Sequence, residues 1–203
     1  MTGALLVTAL VLGALSFYEP CTIATHTLFA ARAHAAPVGE RRRALVGLVA
    51  SRCALLAALL GLAAVLGPVG VSASVAVVAL GVIGVVYLVT RRVYLPVPHV
   101  EVYRLVPGRE RLPEGVRLGL TLPACTLPLV AITTALAAVS AKPAVAAAAG
   151  ALFGAAFSAP TIWHALTGLD PSRRAFLSKA AAATPYLTTA LLWGGAAWVW
   201  QAA

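Results

Sequence analysis

Long apolar runs alternate along this chain with short segments that carry arginine, proline and glycine. A helix needs about 20 predominantly apolar residues to cross a hydrocarbon core about 30 Å thick. By that measure the pattern predicts six spans, at residues 3–31, 44–66, 71–90, 118–141, 144–168 and 180–200. The stretches "GPVG" (67–70), "PVPHVEVYRLVPGRERLPEG" (96–115) and "GLDPSRR" (168–174) supply breaks between them, since proline and glycine punctuate helices. The expected fold class is all-α integral membrane.

Composition agrees with the pattern. The 203 residues are 61% hydrophobic and only 10% charged, against about 25% charged in an ordinary soluble domain. The net charge of +9 raises nucleic-acid binding as a reading. The basic residues, however, sit between the apolar runs rather than along one aromatic-bearing face, which is the signature of membrane topology. Of the 15 lysines and arginines, 13 fall in alternate loops: Arg32 and Arg41 to Arg43, then arginines 91, 92, 104, 109, 111 and 117, then Arg173, Arg174 and Lys179. The positive-inside rule puts those loops in the cytoplasm and both termini outside it. Trp193, Trp198 and Trp200 then form an aromatic belt at the outer interface. Residues 1–18 contain no lysine or arginine, so they lack the basic start of a secretory signal and are read as a helix of the mature protein.

A shift of 104 residues lays Cys21-Thr22-Ile23 on Cys125-Thr126-Leu127, residues 44–66 on 148–170 and residues 71–94 on 175–198. Each half then holds three spans, residues 1–100 in one and 101–203 in the other. An odd number of spans makes the second half run opposite to the first. Such inverted repeats are common in alternating-access transporters, whose sites lie near the midplane on broken helices.

Three cysteines are present. Cys53 aligns with Phe157 in the repeat and reads as a small packing residue. Cys21 and Cys125 each lie in the first span of their half, beside prolines: Pro20 in "EPCT", Pro123 and Pro128 in "LPACTLP". Proline breaks the helical hydrogen-bond ladder, and within a bilayer the freed groups are tolerated only where protein or water satisfies them. Thr22, Thr25, Thr27 and Thr126 are candidates for that task. Counting about 1.5 Å per residue from Arg32 and Arg117, the two cysteines lie at a shared depth of roughly 12 to 17 Å. A thiol pair and a set of soft metal ligands both fit this placement.

These features resemble the CcdA/DsbD family of membrane thiol transporters over essentially the whole chain: six spans, their orientation, the repeat, and one proline-flanked cysteine in the first and fourth spans. The resemblance implies that Cys21 and Cys125 form a redox pair and that Pro20, Pro123 and Pro128 are its helix-breaking prolines. It implies no cofactor. Reducing equivalents would pass from cytoplasmic thioredoxin to an extracytoplasmic thioredoxin-like protein, across the plasma membrane, in support of cytochrome c maturation. Family members often carry another proline shortly after the first cysteine, and "CTIATHT" has none.

Glu19 is the one acidic residue expected inside the hydrocarbon region, where ionisable groups are costly and usually functional. It reads either as a proton-handling group beside Cys21 or as the ion-pair partner of Arg52. His26 and His164 are expected towards the cytoplasmic side. With the cysteines they supply the competing reading, a solute or soft-metal transporter built on the same repeat. The sequence contains no CxxC or HExxH, and its only methionine is Met1. "GALFG" places Gly150 and Gly154 at the spacing of close helix contacts.

Overall fold

The computed structural model describes residues 2–70, 73–90, 99–140 and 142–202. The described residues are all-α apart from one pairing of two-residue strands. Arg91 and Arg92 of the second basic loop, and the predicted span ends at Val71 and Ala141, lie outside them.

The first apolar run is broken where its polar residues fall. Helix α1 (Thr2–Ser16) and helix α2 (Pro20–Ala35) meet at 74° across residues 17–19. Glu19 is extended, with φ −65° and ψ 135°, and Pro20 takes the first helical position of α2. Proline is well tolerated there, because its missing N–H would have no partner in the helix and its ring already holds a helical φ. Pro20 therefore starts a helix rather than kinking one.

Helix α3 (Val38–Gly70) passes through the expected break at "GPVG", and α4 (Ala73–Thr90) follows. The fourth predicted span is the clearest correction. Instead of one helix over 118–141, the chain forms a short α5 (Glu114–Gly119), a strand β2 (Thr121–Leu122), a 3₁₀ turn (Ala124–Thr126) and only then α6 (Leu127–Ser140). Pro123, which donates no backbone hydrogen bond, separates strand from turn, and β2 pairs antiparallel with β1 (Val100–Glu101) in the register Val100 to Leu122. Pro128 then falls in the first turn of α6, the analogue of Pro20 in α2.

Helix α7 (Pro143–Thr167) matches the fifth predicted span, whereas α8 (Pro171–Ala202) begins nine residues before the sixth. Arg173, Arg174 and Lys179 are thus on a helix rather than in a loop. Asp170 explains the early start: its carboxylate accepts the Arg173 backbone N–H at 2.7 Å and the Ser172 hydroxyl at 2.7 Å, capping α8. Those two bonds, the backbone one first, hold the Asp170 carboxyl below the usual range. The cap's contribution is present at neutral pH and is lost as the pH falls through that lowered value.

Among the described residues two helices, Val38–Gly67 and Pro143–Thr167, are long and apolar enough to cross a membrane, and the bent α1–α2 pair makes a third if counted as one span. α8 is 32 residues long but carries Thr184, Thr188 and Thr189, which are buried inside the fold.

The helices pack as α3 along α7 and α4 along α8, with α1 against α7 and α6 against α3. Leu56, Leu60, Leu129, Ile132, Phe153 and Phe157 form the centre of the core. Gly150 lets α3 and α7 touch, since a Cβ there would overlap the Leu56 carbonyl oxygen. A Cβ on Gly154 would come within 3.0 Å of the Cys53 backbone. Gly150→Ala is expected to cost about 1–3 kcal/mol by overpacking. Gly61→Ala, whose Cβ meets nothing nearer than 3.5 Å, is expected to be tolerated. Thermal unfolding of the two variants in detergent checks the contrast.

A disulfide between two broken helices

Cys21 follows Pro20 in the first turn of α2, and Cys125 occupies the 3₁₀ turn that leads into α6. The breaks therefore place each sulfur at the beginning of a helix, where backbone N–H groups are unpaired and the helix dipole is positive. The structure joins the two in a disulfide, with Cα atoms 6.7 Å apart across 104 residues of sequence. Cys125 is 1% exposed, while Cys21 is partly exposed. Thr22 bridges the two segments, its hydroxyl lying 3.6 Å from the Cys125 sulfur. Cys53 is a free thiol that donates to the Ala151 carbonyl at 3.2 Å, in keeping with a packing role.

The threonines hold the broken backbone together. Thr25 donates to the Cys21 and Thr22 carbonyls, both at 3.1 Å, and Thr126 to the Pro123 carbonyl at 2.8 Å. Thr27 bonds the Ile23 carbonyl at 2.6 Å, one turn further along α2. From α8, Thr184 donates to the Tyr18 carbonyl at 3.1 Å, within the break itself.

Glu19 and Arg52 are both fully buried. Their hydrogen bonds lead to different partners. Glu19 Oε1 accepts the Thr188 hydroxyl of α8 at 2.8 Å. The Arg52 guanidinium donates to His26 Nε2 at 2.8 Å, the Leu118 carbonyl at 3.0 Å and Ser158 Oγ at 3.3 Å, and lies 4.1 Å above the Phe157 ring. Arginine has only donors, so His26 Nε2 must be an acceptor. His26 is then neutral with its proton on Nδ1, which faces the Thr22 carbonyl at 3.0 Å. The network runs from Cys125 through Thr22 and His26 to Arg52, and so ties the disulfide to α3 and α7.

His164, on α7, packs against Phe17 at 5.8 Å between ring centres, and its Nδ1 has no hydrogen-bond partner among the described residues. Of the groups in the metal reading, the sulfurs bond each other and both His26 nitrogens are hydrogen-bonded, which leaves His164. Among the described residues no three His, Cys, Asp or Glu side chains converge as a ligand set.

Sequence reasoning missed Thr188, Thr184, Ser158 and Phe157. Thr184 and Thr188 carry a signal, being polar residues four apart on one face of an apolar helix. Ser158 and Phe157 carry none, because their role follows from where Arg52 points. No protein-family model, curated protein or solved structure matches the chain.

Proposed function

We propose that this chain is a membrane thiol–disulfide carrier of the CcdA/DsbD type. It takes two electrons from cytoplasmic thioredoxin at Cys21–Cys125 and delivers them to an extracytoplasmic thioredoxin-like protein, in support of cytochrome c maturation. The observation that carries the reading is the disulfide itself, a bond joining two broken helices inside a chain with membrane-crossing helices. The reading takes six spans, two inverted three-helix repeats, a plasma-membrane location and termini outside the cytoplasm. The packing supports the repeat: exchanging the halves by the 104-residue shift maps α1 on α7 onto α5 on α3 and α2 on α7 onto α6 on α3, and leaves the α3–α7 and α4–α8 pairs in place.

The chemistry balances as follows. A thioredoxin thiolate attacks the Cys21 sulfur, the more accessible of the two, forming a mixed disulfide and releasing Cys125 as a thiolate. The Thr22 hydroxyl stands beside that leaving sulfur. Thioredoxin's second thiol then attacks its own half of the mixed disulfide and frees Cys21. Thioredoxin is left oxidised, and Cys21 and Cys125 hold two electrons and two protons. The same steps in reverse reduce a disulfide on the outer partner. Because thioredoxin cannot enter a bilayer, the broken helices α1–α2 and α5–α6 move against the other four to expose the pair on each side in turn.

Glu19 is placed to handle the proton, two residues from Cys21 and hydrogen-bonded to Thr188. Glu19→Gln keeps the shape and removes the titration. It is expected to slow exchange by about 10²-fold, the lower end of what a positioned acid or base contributes, and to flatten the pH profile. Rates measured across pH for both proteins test this. An unchanged rate and profile would make Glu19 a structural group.

A further inference from the structure

The first two turns of α8 are flanked by two pockets, of about 560 and 430 Å³, that share Leu177. One is lined by Tyr18, Trp163, His164, Arg173 and Phe176, and the other by Pro20, Thr27, Leu28 and Arg174 among others. Each pocket thus has apolar walls, one arginine of an adjacent pair, and one of the two residues on either side of Glu19. We propose that this twin pocket binds an acidic phospholipid, with the phosphate ester at Arg173 and Arg174 and an acyl chain on each side of Leu177. This inference is independent of the redox reading.

Three observations support it. Trp163 and Phe176 are 59% and 60% exposed, large aromatic surfaces suited to the membrane interface rather than to water. Arg173 lies 6.0 Å from the Trp163 ring, and its Nε and Nη1 are engaged by Asp170, Thr167 and the Gly168 carbonyl. Those contacts hold the guanidinium in place, and no described hydrogen bond uses Nη2. His164, 8% exposed, brings to the same pocket a ring whose Nδ1 has no partner among the described residues. Charge selects the class of lipid. Arg173, Arg174 and Lys179 outnumber Asp170 on these turns, so a headgroup with an added cation is disfavoured relative to one with net negative charge. The occupant would touch Tyr18 and Pro20, the residues that flank the bend between α1 and α2.

The test is native mass spectrometry of the purified full chain in detergent, titrated with phosphatidylglycerol, with phosphatidylcholine of the same chains, and with inorganic phosphate as competitor. Phosphatidylglycerol is expected to bind at least 10-fold more tightly than phosphatidylcholine. Arg173→Gln is expected to remove most of that preference, while Arg109→Gln, in the second basic loop, leaves it intact. Equal binding of the two lipids overturns the proposal. So does equal weakening by the two variants, which would mean diffuse attraction to a basic protein. Displacement of the lipid by millimolar inorganic phosphate would instead identify a site for a free anion. A folded Arg173→Gln protein is confirmed by its melting temperature, and Trp163→Ala, which removes wall rather than charge, should weaken both lipids together.

Discussion

Cys125→Ser is expected to accumulate as a mixed disulfide with a thioredoxin that lacks its own second cysteine and carries a small thiol on the first: the Cys21 thiolate attacks the thioredoxin sulfur and expels the small thiol. Cys21 remains as the partly exposed thiol able to form the bond, and neither protein then holds the neighbouring thiol that would resolve it. Cys21→Ser leaves the opposite case, with Cys125 as the site's thiol, 1% exposed in the turn before α6. Both substitutions abolish turnover, but only Cys125→Ser is expected to trap the partner. Non-reducing gels of each variant, mixed with that activated thioredoxin, distinguish the two. Trapping by Cys21→Ser instead would reverse the order of attack.

Arg52→Ala is expected to cost about 2–6 kcal/mol of stability, since it orphans two buried acceptors, His26 Nε2 and the Leu118 carbonyl, at about 1–3 kcal/mol each. The loss reaches beyond stability. Leu118 precedes the strand that leads to Cys125, and His26 sits one turn from Thr22, so one guanidinium on α3 braces both cysteine segments. Arg52→Lys keeps the charge but not the planar fork, and should recover only part of the loss. Denaturation in mixed micelles, followed with exchange rates, measures both effects. A fully stable Arg52→Ala would mean that the three contacts of the guanidinium are replaceable.

Hydropathy made the spans readable wherever a helix is apolar along its whole length, as in α7, predicted at 144–168 and observed at Pro143–Thr167. It failed at 118–126, because an apolar segment is equally hydrophobic in extended and helical form. What separates them there is Pro123, the pairing of Leu122 with Val100, and the backbone N–H of Ala124 bonded to His99 Nδ1 at 3.3 Å. These are contacts between residues more than 20 apart, and a window along the chain does not contain them. The start of α8 was missed for a different reason, since its arginines lower the local hydropathy while the Asp170 cap sustains the helix.

At the site, the cysteines and prolines stood out because each is a residue type that an apolar helix has little use for. Glu19 and Arg52 stood out on the same ground, and both are buried. Their partners were not legible. Pairing the two buried charges is the simplest guess, yet the hydrogen bonds of Arg52 go to a histidine, a carbonyl and a serine, and Thr188 serves Glu19. Which of several polar groups meets a buried charge depends on helix rotation and register, and those are set by packing across the fold.

The most direct test of the proposed function is a thiol count by maleimide gel shift on the purified protein, before and after treatment with reduced thioredoxin, with Cys21→Ser and Cys125→Ser alongside. One reactive thiol, Cys53, before treatment and three after it, with that change lost in either variant, is the result expected of a redox disulfide. Three free thiols under oxidising conditions, indifferent to thioredoxin, would contradict it.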